Sequence, residues 1–135
     1  MARYGKFSGV QNYFALVGKA GPDLQEKCGY WGERLVLKAQ MMGLNTCWVA
    51  LTFSKVKSAY VLGEGEKLAC VIALGHGATQ GVPRKSKTMD EVTKVDGPMP
   101  DWFKAGMEAV LLAPTAVNQQ KFLFTLKDGK VSATP

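Results

Sequence analysis

The chain has a single histidine, His76, and three cysteines, Cys28, Cys47 and Cys70, in 135 residues. With no C-x-x-C pair and no Cys/His cluster, a structural zinc site has no ligand set to draw on. The same poverty leaves little for a Cys–His nucleophilic pair. Cys47 and Cys70 lie inside apolar, strand-like runs and are expected to be buried small hydrophobes. No apolar run approaches the roughly 20 residues that span a bilayer. The start also lacks the basic-then-apolar layout of a signal peptide. These absences lead to the expectation of a soluble, cytoplasmic protein with no membrane partner. Charged residues are only 21% of the chain and apolar ones 47%, a balance that can fill a core and argues against disorder throughout. The length suits one domain or a large piece of one.

What charge there is has one sign in excess: the net charge is +6. The surplus gathers at Arg84, Lys85 and Lys87, with further lysines at 55, 57, 127 and 130. No aromatic-interleaved basic stripe accompanies it, so nucleic acid is not the expected partner. A small ligand carrying phosphate suits the local cluster, since charge-assisted bonds to phosphate use both residue types. A solvated loop is the structural alternative.

Along the chain, Val10 to Val17 has strand composition and ends at Gly18. Gly21-Pro22-Asp23 reads as a turn opening a helix, with Asp23 and Glu26 near its positive end. Tyr30 to Met42 is strongly helical: Leu35, Ala39 and Met42 recur at helical spacing with Trp31 one turn before, giving an apolar face. Gly43 suits the helix end. Thr46 to Leu51 reads as a short strand or extended turn. Ser54 is a candidate N-cap for a short helix ending near Gly63. Leu68 to Leu74 is continuously apolar apart from Cys70 and predicts a strand buried on both faces. Residues 76–98 predict a long connection, a length that calls for a functional reason. Asp101 to Leu112 is a second helix with Pro100 at its start, its apolar positions Phe103, Met107 and Val110. Lys121 to Leu126, Asp128-Gly129 and Val131 predict a hairpin. The mixture is α+β, and the hairpin argues against an all-parallel sheet.

The most informative stretch is residues 111–122, Leu-Leu-Ala-Pro-Thr-Ala-Val-Asn-Gln-Gln-Lys-Phe. A helical run stops at Pro114 and three amides follow, Asn118, Gln119 and Gln120. Free backbone groups at a helix end, next to side chains that both donate and accept, suit a flat hydrogen-bonding ligand. A capped helix followed by a solvated turn is the bland alternative. The stretch resembles the Ala-Pro-Ser-x-x-Asn-x-Gln-Pro-Trp signature of the FMN-dependent nitroreductase family. Ala113, Pro114, Thr115, Asn118 and Gln120 are in register, with Lys121 in place of Pro and Phe122 in place of Trp. Gly29-Tyr30-Trp31-Gly32-Glu33 with Leu37-Lys38-Ala39-Gln40, followed by Gly43-Leu44-Asn45-Thr46-Cys47-Trp48-Val49, is similar to that family's late helix and its Gly-Leu-Gly-Thr-Cys-Trp turn. Val71 to Gly75, then Lys85, Lys87 and Met89-Asp90-Glu91-Val92, is similar to its closing strand and basic tail.

The resemblance implies a nitroreductase-like mixed sheet flanked by helices, with residues 1–135 a single such domain or part of one. It implies FMN as cofactor, NAD(P)H as electron donor, and a nitroaromatic, quinone or similar acceptor. It implies a homodimer as well, because the family builds its flavin sites at dimer or pseudo-dimer interfaces. No catalytic side chain is expected, since the flavin carries the chemistry. Asn118 would bond the polar edge of the isoalloxazine, with Pro114 and Thr115 beside it; Gln120 is in register with them and could equally be structural. Thr46, Cys47 and Trp48 would offer backbone N–H groups near the flavin, and Trp48 could equally be core. Arg84, Lys85 and Lys87 would hold the ribityl phosphate. Here the Asn-bearing motif follows the Thr-Cys-Trp motif, an order that resembles a branch whose single chain has repeated halves. Members of that branch open with an arginine-rich segment absent from this chain, so the expectation is that an N-terminal portion is missing. The competing expectation is a non-catalytic fragment of the same fold with weak or no flavin binding.

Overall fold

The structure, a computed structural model, describes residues 9–51 and 59–135, which divide into two compact units. The first lies within Arg3–Gly81 and the second within Val82–Pro135. No helix among the described residues is long and apolar enough to cross a membrane.

In the first unit the order is β1 (Asn12–Lys19), α1 (Leu24–Met41), β2 (Asn45–Val49) and β3 (Glu66–Gly75). The apolar run expected at 68–74 becomes the central strand, with β1 and β2 antiparallel on either side. Ile72 stands opposite both Phe14 and Trp48, fully buried. β1 runs through Gly18 instead of stopping there. A Cβ at that position would lie 2.8 Å from Leu24 Cδ1, so the missing side chain lets α1 begin against the strand. The 18-residue α1 ends at Met41, and Gly43 just past the Met42 cap, at φ +75°, takes the left-handed geometry that glycine adopts cheaply. The candidate N-cap Ser54 lies outside the described residues.

The buried side of α1 differs from the one its periodicity suggested. Trp31 and Met42 are 58% and 65% exposed, and Leu35 is exposed as well. Of the expected face Ala39 alone is buried, and the helix rests on it together with Cys28 and Gly32, with Leu24 and Val36 packed beside them. The cause is distance. At Gly32 the helix backbone lies so close to Trp48 and Leu16 that a Cβ would already overlap them. Only small residues fit that approach, and the larger apolar ones face outward.

In the second unit the order is β4 (Thr93–Val95), α2 (Asp101–Leu112), β5 (Leu123–Lys127) and β6 (Lys130–Thr134). The long connection expected over 76–98 is interrupted by β4, too short to carry a periodic signal. β4 pairs parallel with β5 through the α2 crossover, and β5 pairs antiparallel with β6, making a mixed sheet. Asp128 and Gly129, at φ +50° and +70°, form the tight turn that the Asp-Gly pair foretold. The core is Val92, Phe103, Met107 and Leu126. The expected α+β class holds, with the strands divided between two sheets.

Candidate functional site

Two motifs far apart in sequence meet in the second unit. After α2 the chain turns at Pro114 and enters a short 3₁₀ turn, Ala116–Asn118. Val117, Asn118 and Gln120 all have positive φ, between +45° and +53°. For a β-branched residue such as Val117 that conformation is costly, and it persists only where surroundings enforce it. The enforcement comes from the basic segment 84–88. Asn118 Nδ2 donates to the Lys85 carbonyl at 2.6 Å. Gln120 Oε1 accepts from the Lys87 N–H at 2.7 Å, and Gln120 Nε2 donates to Ser86 Oγ at 2.9 Å. Lys87 Nζ donates to the Gln120 carbonyl at 3.1 Å. The Gln120 N–H donates to Thr115 Oγ1 at 3.0 Å, closing the turn on itself.

Each residue singled out from the sequence thereby acquires a definite setting. Arg84 donates from Nη2 to the Leu111 carbonyl at 2.7 Å and from Nη1 to the Ala113 carbonyl at 3.0 Å. It therefore caps the negative end of α2. Lys87 is half-buried and engaged with Gln120. Lys85 is exposed, and its ammonium has no hydrogen-bond or ion-pair partner among the described residues. Pro114 is exposed and Thr115 half-buried. Below the loop, Glu91 accepts from the N–H and hydroxyl of Thr88, bonds that hold its carboxyl below the usual carboxylate range.

One buried polar atom in this cluster has no partner, Asn118 Oδ1. The orientation of the amide is fixed by its neighbour: the Lys85 carbonyl can only accept, so Nδ2 must face it and Oδ1 must face away. An orphaned acceptor of this kind costs about 1–3 kcal/mol unless a donor meets it. The imide N–H on the polar edge of an isoalloxazine ring is a donor of the matching kind.

In the first unit, Thr46 and Cys47 line a groove of about 660 Å³ with Gln11, Asn12, Asn45 and His76. Asn45 Oδ1 accepts from the Gly77 N–H at 2.9 Å and ties the loop after β3 to the head of β2. Cys47 is exposed, not buried as its apolar neighbours suggested, because it lies in the middle of an edge strand beside this groove. Partial desolvation nonetheless raises its thiol above the ordinary range, so it is not an activated nucleophile. Trp48 turns away from the groove, packing against the Leu16, Cys28 and Ile72 core, and donates from Nε1 to Glu33 Oε2 at 3.3 Å. Its ring is structural. As an edge strand among the described residues, β2 has alternate backbone N–H groups with no sheet partner among them. His76, between two glycines, reads from the sequence either as a turn residue or as one near a ligand, and it lines the groove just after β3.

A family model described as Putative TM nitroreductase matches residues 1–135. No curated protein matches the chain. Among solved structures, a putative nitroreductase from Thermotoga maritima superposes with a TM-score of 0.64 at 21% identity. The match covers 90% of this chain and 51% of that one, so the chain spans about half the length of its structural neighbour. That likeness shows a shared fold.

Proposed function

Because this chain belongs to the family described as Putative TM nitroreductase, matched from end to end, we propose that it is an FMN-dependent oxidoreductase acting on nitroaromatic, quinone or similar acceptors with NAD(P)H as donor. When bound, FMN would supply the centre that takes up and gives out hydride. The chain's own residues bind and orient it. Asn118 Oδ1 accepts from the imide N–H of the ring, with Pro114 and Thr115 bordering the same edge. Lys85 meets the ribityl phosphate, with the remaining guanidinium donors of Arg84 beside it. Lys87 adds positive potential from its post on Gln120. A homodimer is the assembled form in this reading. The observation that supports it most directly is the orphaned Asn118 Oδ1, a buried acceptor waiting for a donor.

Flavin fluorescence quenching tests the reading. Wild-type protein is expected to bind FMN, with light scattering reporting a dimer; no binding at high micromolar FMN overturns it. Asn118→Ala should weaken FMN by about 1–3 kcal/mol, the cost of losing one buried polar contact. Unchanged affinity in a folded variant would remove Asn118 from the site. Lys85→Ala should weaken FMN about fivefold and leave riboflavin, which has no phosphate, unaffected, an effect modest because the lysine is exposed. Equal losses for the two ligands would sink the phosphate role.

A further inference from the structure

Gln120 falls into register with a flavin-site motif, yet the structure gives its side chain no way to touch a ligand. It is 1% exposed. Its Oε1 is taken by the Lys87 N–H, and its Nε2 by Ser86 Oγ and, at 3.3 Å, the Leu111 carbonyl. Its backbone is engaged on both sides as well, by Thr115 and Lys87. A buried amide with every group satisfied is stable where it is and expensive to disturb. Its bonds also have a pattern. They reach the end of α2, the turn at Thr115 and the basic segment at Ser86 and Lys87, three pieces of chain without a common element.

We propose that Gln120 is a positioning residue: it latches the 84–88 segment onto the 115–120 turn, setting the Asn118 carbonyl and the Lys85 ammonium in one fixed arrangement. The connection runs through the backbone. Holding Ser86 and Lys87 fixes the Lys85 carbonyl, and that carbonyl fixes the Asn118 amide. The same turn holds Val117 at φ +45°, a conformation that a β-branched residue does not keep without support. Ring recognition and phosphate recognition are thereby coupled through a side chain that contacts neither. The ligand half of this inference rests on the proposed flavin site; the latch does not.

The test is Gln120→Met, which keeps similar volume and removes the hydrogen bonds, with Ser86→Ala as a second variant that cuts the latch from the loop side. Two readouts apply to folded protein. The first is the Asn118 side-chain amide resonance in ¹⁵N spectra without ligand. The second is affinity for FMN and for riboflavin. The latch predicts that the Asn118 resonance moves to the position of a free amide in both variants, although Asn118 is unaltered. It also predicts FMN affinity reduced roughly tenfold in Gln120→Met, with a smaller ratio between FMN and riboflavin. An unmoved Asn118 resonance overturns the latch, and so does a moved resonance with flavin affinity intact. A wild-type protein that binds no flavin overturns the functional reading alone, and the resonance then decides the latch by itself. If Gln120→Met does not fold, Ser86→Ala carries both measurements.

Discussion

Gly32→Ala is expected to destabilise the protein by about 2 kcal/mol, although the same change in an exposed helix would stabilise it by about 1 kcal/mol. The new Cβ would overlap Trp48 Cη2 and lie 2.9 Å from Leu16 Cδ1 and 3.0 Å from Trp48 Cζ2. Overpacking of this kind costs about 1–3 kcal/mol when neighbours cannot yield. Trp48 has little freedom to yield: its backbone is paired to β3 opposite Ile72, and its indole N–H is bonded to Glu33. Sterics therefore outweigh propensity. Thermal unfolding should show a midpoint roughly 6–10 °C lower. Adding Trp48→Leu should recover much of the loss, since the two changes share one space and cannot be additive. A neutral or stabilising Gly32→Ala would mean that the Trp48 ring does not pack beneath α1 and is available for a ligand.

The Gly32 contact also explains where sequence reading succeeded and where it stopped. α2 was legible over Asp101–Leu112 because Phe103 and Met107 are both apolar at helical spacing and both buried. The hairpin was legible because Asp-Gly admits two successive positive φ values. In α1 the same periodic argument held at Ala39 and failed at Trp31, Leu35 and Met42, since periodicity ranks residues by hydrophobicity and close approach ranks them by size. Trp31, Leu35 and Met42 satisfy only the first criterion, Cys28 and Gly32 are placed by the second, and Ala39 meets both. The short β4 was hidden because three residues make no pattern. At the site, the motifs around Lys85 and Asn118 were each visible, but their meeting was not. Lys85 and Asn118, 33 positions apart, are joined by a side-chain to backbone bond that no spacing rule encodes. Gln120 shows the limit most clearly: its type and position matched a ligand motif, while its burial assigns it to the scaffold.

Met107→Ala should cost about 2–5 kcal/mol, the range for truncating a large side chain in a packed core. Met107 is 2% exposed and packs with Val92, Phe103 and Leu126, which pins α2 to the β4–β5 pair. Met107→Leu, similar in volume, should cost less than about 1.5 kcal/mol. Urea unfolding followed by tryptophan fluorescence, with Trp102 as the reporter on α2 itself, measures both. The consequence for the site follows from where α2 ends. Its carbonyls at Leu111 and Ala113 hold Arg84, and Leu111 also meets Gln120, so the helix end anchors the basic segment that in turn orients Asn118. A cavity that lets α2 settle toward the sheet moves that anchor. FMN affinity should then fall further in Met107→Ala than its unfolded fraction accounts for, measured at low temperature where the variant is still folded. A stability loss under about 1 kcal/mol would show that α2 is not held by this core. Full stability loss with unaltered affinity per folded molecule would show that the Asn118 turn keeps its shape without the helix, leaving Gln120 and the basic segment sufficient to define it.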